Sequence, residues 1–291
     1  AGGGSRPSPR SGSFGKLQVP LPMASLDEKP AAAAVTSFQG AQDGGPPSKA
    51  KLATLRGEWI AALENRDLSA AGRLAVAVNI HKALSMGDFE ALRTAVDEVA
   101  NKELLTAILS LARVQHTLNY VAFRLLLLFT TTDRSTALLA DIGVISVVIA
   151  TLNVAQETPC IRFCVEILYR VCRSRHCHTP QVVQEMAQMD ALLLLDLVTD
   201  RYHDEIPKAR LQVLHVMSAM LPMRRGRQAL LRAGAVYTIL NLLSQHKRGL
   251  GFFSRAEVAL MNQMKRELLF WEQAVHERQQ ANLRGDVNFR A

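Results

Sequence analysis

The chain has 291 residues, of which 48% are hydrophobic and 5% aromatic, and its formal net charge is +8. This apolar content can fill a core, and the excess of Leu, Ala and Val favours stacked helices over sheets. The positive charge favours a negatively charged partner, such as an acidic protein segment, nucleic acid or anionic lipid. Apolar runs such as residues 191–195 are far shorter than the ~20 residues of a membrane helix, so we expect no membrane span.

Residues 1–50 are rich in Gly, Pro, Ser and Ala and show no apolar period. Such a segment buries too little surface to offset its ordering entropy, so we expect a flexible arm that orders only along a partner. No acidic residue precedes Asp27, as in organellar transit segments, although an amphipathic helical pattern is missing. There are two other interpretations. The segment is an ordinary flexible tail, or the native chain starts at Met23 and residues 1–22 lie outside it.

Apolar residues recur at helical spacing from residue 51 onward, and this predicts a helical repeat domain over residues 51–291. The helices within residues 51–102 match the later pattern poorly, as expected for the atypical terminal unit of a solenoid. Asp88 is the predicted N-terminal cap of the helix that starts at Phe89.

A unit of similar sequence occurs three times in the chain. Residues 129–143 align without a gap with residues 220–234, and a third copy between them ends at Asp190. The anchor residues Gly143, Asp190 and Gly234 are 47 and 44 residues apart, which is the period of repeats built from two or three helices. We therefore predict a short helix ending at each anchor, a second helix after it and a third after a loop.

The predicted third helices also align with each other. Pro159 and Pro207 occupy equivalent positions at their starts, where a missing N–H has little cost. A last helix is predicted from Ser254, its cap, to residue 280, and it closes the array by about residue 282. Its predicted buried stripe consists of Leu260, Met264, Leu268, Leu269 and Trp271.

The run Leu-Leu-Arg-Ala-Gly-Ala-Val at residues 230–236, followed by an apolar helix, resembles the armadillo-repeat pattern, and residues 139–145 repeat it. The resemblance covers about residues 103–265. It implies an all-α, armadillo-like α-solenoid, a right-handed superhelix of three-helix units whose third helices line a concave groove. The middle copy departs from the pattern at Asp190, where Gly is usual, although Asp tolerates positive φ better than most residues.

The resemblance places the candidate site in this groove, because positions four apart on a third helix share one face. Arg170 and Glu166 stand where nuclear-import members of the family place Asn and Trp, which argues against binding of nuclear localisation signals. Arg162 and Arg210, at equivalent positions one repeat apart, would suit an acidic extended segment. Alternatively, Arg162 pairs with Glu166 on a solvated face. The predicted groove residues are Asn119, Phe123, Arg162, Glu166, Arg170, Arg210, Leu214 and Ser218.

Two further segments are candidate contacts for a partner. The first is a basic rim at an inter-repeat turn, where phosphate or an acidic tail could dock, unless it is simply a solvated turn. No interleaved aromatic residue there supports base stacking. In the second, Phe252 and Phe253 either tuck under the last repeat or meet a partner. The rim residues are Arg224, Arg225, Arg227 and Arg232.

The four cysteines lie within residues 160–177. Cys160 and Cys172 would be about 18 Å apart along one helix, too far for one ion, so only Cys172 with His176, Cys177 or His178 could form a local zinc site. Buried cysteines in a reducing compartment are the simpler interpretation, and we predict no metal and no cofactor.

The sequence contains no phosphate-binding loop, nucleophile elbow or zinc-protease motif, so we predict no enzyme. It favours a non-catalytic scaffold or adaptor subunit of a larger protein assembly, which binds an acidic or extended partner segment in the groove. The alternative is an RNA-associated structural subunit of a ribonucleoprotein or organellar complex, and an enzyme or enzyme regulator ranks last. An intracellular location, cytoplasmic or cytoskeletal, is favoured, with mitochondria as the alternative.

Overall fold

The computed structural model describes residues 47–113, 117–154, 158–175, 179–199, 209–250 and 253–283. Every regular element in these ranges is an α-helix. The predicted arm, residues 1–50, lies outside them except for its last four residues. In chain order the helices are α1 Lys49–Glu64, α2 Ala70–Leu84, α3 Phe89–Val99, α4 Lys102–Arg113, α5 Thr117–Phe129, α6 Asp133–Asp141, α7 Val144–Leu152, α8 Thr158–Arg173, α9 Pro180–Met186, α10 Ala191–Thr199, α11 Ala209–Met220, α12 Arg224–Arg232, α13 Ala235–Lys247 and α14 Arg255–Leu283.

The helices stack as an all-α solenoid. Helices α2, α5, α8, α11 and α14 each pack against the next and form one continuous row, which we call the third-helix layer. The second helices α7, α10 and α13 pack against α8, α11 and α14, the third helices of their own repeats. The predicted fold class is therefore confirmed.

One continuous apolar core runs between the layers, from Leu52 in α1 to Leu268 in α14. Aliphatic side chains dominate it, and Trp59, Phe123 and Phe129 are the largest side chains that are fully buried. Each buried Leu, Ile or Phe contributes roughly 1.5–3 kcal/mol relative to exposure. A chain poor in aromatic residues can therefore still build a stable stack from aliphatic side chains.

The anchor glycines occupy equivalent positions in two repeats. Gly143 and Gly234 have φ angles of +82° and +83° and immediately precede the second helices α7 and α13. Glycine adopts this left-handed conformation without the steric penalty that a Cβ brings. In the middle repeat, Asp190 instead caps α10, because its Oδ1 accepts a hydrogen bond from the backbone N–H of Leu192 at 2.9 Å.

A residue of the next repeat caps helix α7, which has no capping side chain of its own at Gly143. The buried carboxylate of Glu185 in α9 accepts a hydrogen bond from the backbone N–H of Ser146 at 3.1 Å and another from Gln181 Nε2. An acidic group also complements the positive end of the helix dipole. Glu185 thus couples the first repeat to the second.

Both predicted caps are confirmed. Asp88 Oδ1 accepts from the backbone N–H of Ala91 at 2.8 Å, at the start of α3. Ser254 and Glu257 form a reciprocal capping box at the start of α14: Ser254 Oγ accepts from the N–H of Glu257 at 3.2 Å, and the Glu257 carboxylate accepts from the N–H of Ser254 at 2.6 Å.

The predicted buried stripe of α14 is wrong at Leu269, which is exposed, and it missed Met261, which is fully buried. Met261, Met264 and Leu268 are fully buried, and Val258 and Leu260 pack against the core with partly buried side chains. Packing against α11 and α13 selects one side of the helix and leaves the other apolar residues in solvent.

No single helix in the described ranges is long and apolar enough to span a membrane. Helices α6 and α7 reach the required length and hydropathy only when taken together, and they are bent by 73° at their junction.

Candidate binding surface of the third-helix layer

Four of the five helices of the third-helix layer, α2, α5, α8 and α11, carry an excess of positive charge. The only acidic residue in α2, α5, α8 and α11 is Glu166. Its Oε1 accepts from Arg170 Nε at 2.8 Å, and its other oxygen accepts from Gln212 Nε2, so it is already engaged. The basic residues of these four helices are Arg73, Lys82, Arg124, Arg162, Arg170, Arg173 and Arg210.

Pairs of aromatic rings join neighbouring helices on the exposed side of this layer. The rings of Tyr120 and Phe163 lie 5.3 Å apart and connect α5 to α8, and those of Tyr169 and His215 lie 5.4 Å apart and connect α8 to α11. Arg173 Nη1 donates to the Tyr169 hydroxyl at 2.7 Å. We call this exposed side, with Arg124, Arg162, Tyr169, Arg173 and His215, the ladder face.

Two histidines of the layer lie within the positive field of these arginines. Burial lowers the pKa of His81, and the nearby Arg124 lowers it further. Burial likewise lowers the pKa of His215, with an additional contribution from Arg173. Both shifts favour the neutral imidazole, so the positive charge of the ladder face comes from its arginines and not from these histidines.

Two of the predicted groove residues, Phe123 and Leu214, are wrong. Both side chains are fully buried in the core and cannot contact a partner. The reason is that third helices are packed on two sides by neighbours in the layer and on a third side by the second helices, which leaves only a narrow exposed strip. Among the other predicted residues, Arg162 is exposed, and those that are partly exposed are Asn119, Glu166, Arg170 and Ser218.

Arg210 was also predicted to line the groove, but it is a buried structural residue. Its Nε donates to Glu257 Oε1 at 2.8 Å, and both side chains are only 9% exposed. Its guanidinium also lies 4.2 Å from the centre of the Phe253 ring. The pair joins α11 to α14, so Arg210 has no role on the ladder face. The predicted alternative pairing of Arg162 with Glu166 is also wrong, because Glu166 pairs with Arg170.

Phe253 is tucked against the last repeat, as one of the two interpretations of its loop predicts. Its partly buried ring packs against the core, and the ring centre lies 5.7 Å from that of His246. Phe252 lies outside the described residues.

The Arg210–Glu257 pair predicts an acid-dependent loss of stability. Burial alone would raise the pKa of Glu257, but hydrogen bonds from Arg210 and Ser254 outweigh it, and the pKa lies below its ordinary value of 4.5. The stabilisation is therefore fully present above pH 4.5 and is lost as the pH falls through the lower, folded-state pKa. We expect the unfolding free-energy difference between the native chain and Glu257→Gln to be constant above pH 5 and to shrink below about pH 4 in urea titrations.

A difference that stayed constant down to pH 3 would contradict this assignment. Arg93→Gln, which removes an exposed pair with Glu90, is the matched control and should show little pH dependence.

The predicted basic rim does not lie in an inter-repeat loop. Its residues belong to helix α12, which begins at Arg224. Arg224 and Arg225 are exposed, as is Arg232 at the other end of the helix. Arg227 instead donates from Nη1 to the carbonyl of Leu221 at 2.8 Å, and its guanidinium lies 3.7 Å from the centre of the Trp271 ring. It therefore holds α12 against α14, and its assignment to a free rim is wrong.

The three described cysteines, Cys160, Cys164 and Cys172, are buried. Burial raises the pKa of the Cys164 thiol, and its contact with Cys160 raises it further, so this thiol is a poor nucleophile and metal ligand. No group of three His, Cys, Asp or Glu side chains converges within the described ranges. His176, Cys177 and His178, the residues that could have joined Cys172 in a local zinc site, lie outside them.

An open cleft of about 470 Å³ lies between the α3–α4 junction and α6, away from every residue predicted for a site. Its lining residues are Ala100, Asn101, Lys102, Asp133, Arg134, Ala137 and Leu138. The charged side chains belong to helix starts, and Asp133 forms an exposed ion pair with Arg175 at 3.9 Å.

Comparison with protein-family models and with curated proteins finds no match to this sequence. Among solved structures, a designed armadillo repeat protein in complex with the peptide (KR)4 matches with a TM-score of 0.56 and 12% identity, over 84% of this chain and 95% of its own. The chain has an armadillo-like fold. A second designed armadillo repeat protein matches with the same TM-score and the same coverage of both chains, at 13% identity. An engineered protein matches with a TM-score of 0.56 and 12% identity, over 84% of this chain and 92% of its own.

Proposed function

We propose that the protein is a scaffold or adaptor subunit of a larger assembly and that it binds an acidic, extended segment of a partner protein on the ladder face. The observation that carries this proposal is the charge of the third-helix layer, in which Glu166 is the one acidic residue of four helices and is already neutralised by Arg170. Exposed arginines with no acid nearby favour carboxylates, which guanidinium groups bind in a bidentate geometry.

The armadillo-like fold supports a peptide as the ligand. In such a fold the third helices line the groove, and one of the designed proteins of similar fold binds a peptide, (KR)4. That peptide is basic, whereas the ladder face described here is itself basic. The same architecture with reversed surface charge would select acidic segments.

An RNA partner is the competing explanation of the positive charge. Single-stranded nucleic acid binds best where aromatic rings are free to stack on bases. On the ladder face, the rings of Tyr120 and Phe163 contact each other, and those of Tyr169 and His215 do the same. This pairing favours the acidic protein segment.

The proposal predicts that charge reversal on the ladder face abolishes binding of acidic peptide without unfolding the chain. The variant Arg124→Glu/Arg162→Glu/Arg173→Glu changes three exposed side chains, and a fluorescent glutamate-rich peptide should bind it at least about tenfold more weakly than it binds the native chain. Fluorescence anisotropy gives the affinity, and the thermal unfolding midpoint reports the fold.

A matched control reverses three exposed arginines outside the third-helix layer, Arg66→Glu/Arg134→Glu/Arg248→Glu, and should leave the affinity within about twofold. Equal losses in both variants would show a nonspecific charge effect and would contradict the proposal. Tighter binding of an oligouridine RNA than of the acidic peptide would replace it with the RNA-associated role.

A further inference from the structure

The last repeat leaves large apolar side chains in solvent, which is unusual at the end of a solenoid. Tyr237, Leu240 and Phe270 are 77%, 42% and 65% exposed. Leu240 follows its anchor Gly234 by six residues, as Ile149 follows Gly143, yet Ile149 is only 7% exposed. A terminal unit of a repeat array normally presents polar residues at its free end. The apolar surface of this repeat therefore lacks the cover that the equivalent position has in an interior repeat.

Phe270 adjoins a cluster of arginines. Its ring packs edge-on against Trp271, with the two centres 5.4 Å apart. The other neighbour of Trp271 is the guanidinium of Arg227, which lies 3.7 Å from the ring centre. Arg224 lies three residues before Arg227 in α12 and therefore on the same face of that helix.

The charges of this cluster are locally unfavourable. Helix α12 begins with Arg224 and Arg225, has Arg227 in its first turn and has no acidic residue there. Positive side chains at a helix N-terminus oppose the helix dipole, and three close arginines repel each other. A negatively charged partner would remove both penalties.

We propose that Phe270, Arg224 and Arg225 form a second docking surface, which binds an acidic amphipathic segment of a partner protein. An apolar side chain of that segment packs on Phe270, and its carboxylates pair with Arg224 and Arg225. Arg227 supports the surface by holding Trp271 beneath Phe270. We call it the terminal docking surface, and it is independent of the ladder face.

Charge complementarity selects this occupant. A second copy of the chain would bring the same arginines against each other, which disfavours self-association. The surface has two components, the exposed arginine side chains and the exposed apolar ring of Phe270. A segment with both carboxylates and apolar residues satisfies the two components together.

The test compares three short helical peptides of equal length in an anisotropy assay. The first carries leucines on one face and glutamates elsewhere, the second has serine in place of the leucines, and the third has glutamine in place of the glutamates. The assay uses the ladder-face triple variant as the parent protein throughout, so that the ladder face adds no acidic-peptide binding, and we expect only the first peptide to bind well. Phe270→Ser and Arg224→Glu/Arg225→Glu should each weaken its binding at least about tenfold.

The chain offers a matched control for each variant. Phe89 is 62% exposed at the start of α3, so Phe89→Ser should leave the affinity within about twofold. Arg66→Glu/Arg248→Glu repeats the charge change away from α12 and should have as little effect. The parent protein already carries the ladder-face substitutions, so its binding of the first peptide separates this surface from the proposed function.

Four outcomes would overturn the inference. These are no binding of the first peptide, unchanged binding by the Phe270→Ser variant, equal binding of the serine peptide, and tighter binding of oligouridine RNA that depends on Arg224 and Arg225. A concentration-dependent dimer in sedimentation experiments that Phe270→Ser dissociates would instead assign the surface to self-association.

Discussion

Replacing Arg210 with methionine is expected to lower the free energy of unfolding by about 3 kcal/mol. The substitution leaves the carboxylate of Glu257 in a buried position without its cation, and removing one partner of a buried pair is far more costly than removing an exposed one. It also removes the guanidinium that packs on Phe253. Urea unfolding followed by far-UV circular dichroism at pH 7 measures the loss.

The double variant Arg210→Met/Glu257→Gln should be more stable than Arg210→Met alone, because it removes the uncompensated buried charge. Arg93→Met breaks the exposed Arg93–Glu90 pair and should cost about 0.5 kcal/mol or less. Equal effects of Arg210→Met and Arg93→Met would show that the α11–α14 joint does not depend on this ion pair.

Replacing Phe123 with alanine is expected to destabilise the protein by about 3–5 kcal/mol. The side chain is fully buried between the third-helix layer and the second helices, and its removal leaves a cavity that a close-packed core fills only in part. The same unfolding measurement gives the difference. A residue that lined a groove would instead affect partner binding and leave stability nearly unchanged.

Phe89→Ala is the matched control, because Phe89 is mostly exposed and its removal should cost less than about 1 kcal/mol. If Phe123→Ala were equally mild and weakened binding of acidic peptide, Phe123 would be a groove residue after all. The two phenylalanines thus separate a core role from a contact role without any knowledge of the native partner.

Together these variants divide the arginines of the chain by role. Arg210 joins α11 to α14 of the last repeat through Glu257, and Arg227 joins α12 to α14 within that repeat through Trp271. Arg124 and Arg173 lie on the ladder face beside His81 and His215, and both side chains are exposed. Net charge alone cannot make this distinction, since all of them contribute equally to the total of +8.

The positions of the turns and helix starts within each repeat could be predicted from the sequence, because they depend on residues that are close together in the chain. Gly143 and Gly234 mark the turns before the second helices in sequence, and both adopt the left-handed conformation that requires glycine. The caps Asp88 and Ser254 were predictable for the same reason, since a cap bonds to N–H groups within three residues.

The candidate site could be predicted only in part. A period of four residues placed Glu166, Phe123 and Leu214 on equivalent positions, but the structure leaves the first partly exposed and buries the other two. A third helix has neighbours on three sides, so an apolar or charged period on it does not indicate which strip faces solvent. The roles of Tyr169 and His215 were missed, because their ring contact joins two helices.

The sequence by itself determined the helical class, the repeat period, the turns and the positive charge, because each follows from composition or from residues close in the chain. Only the tertiary structure decided which arginines are buried and which reach solvent. Arg210 and its partner Glu257 are 47 residues apart, and whether such residues meet depends on how neighbouring repeats are offset when they stack. That offset results from packing over the whole core and is not encoded in any single repeat.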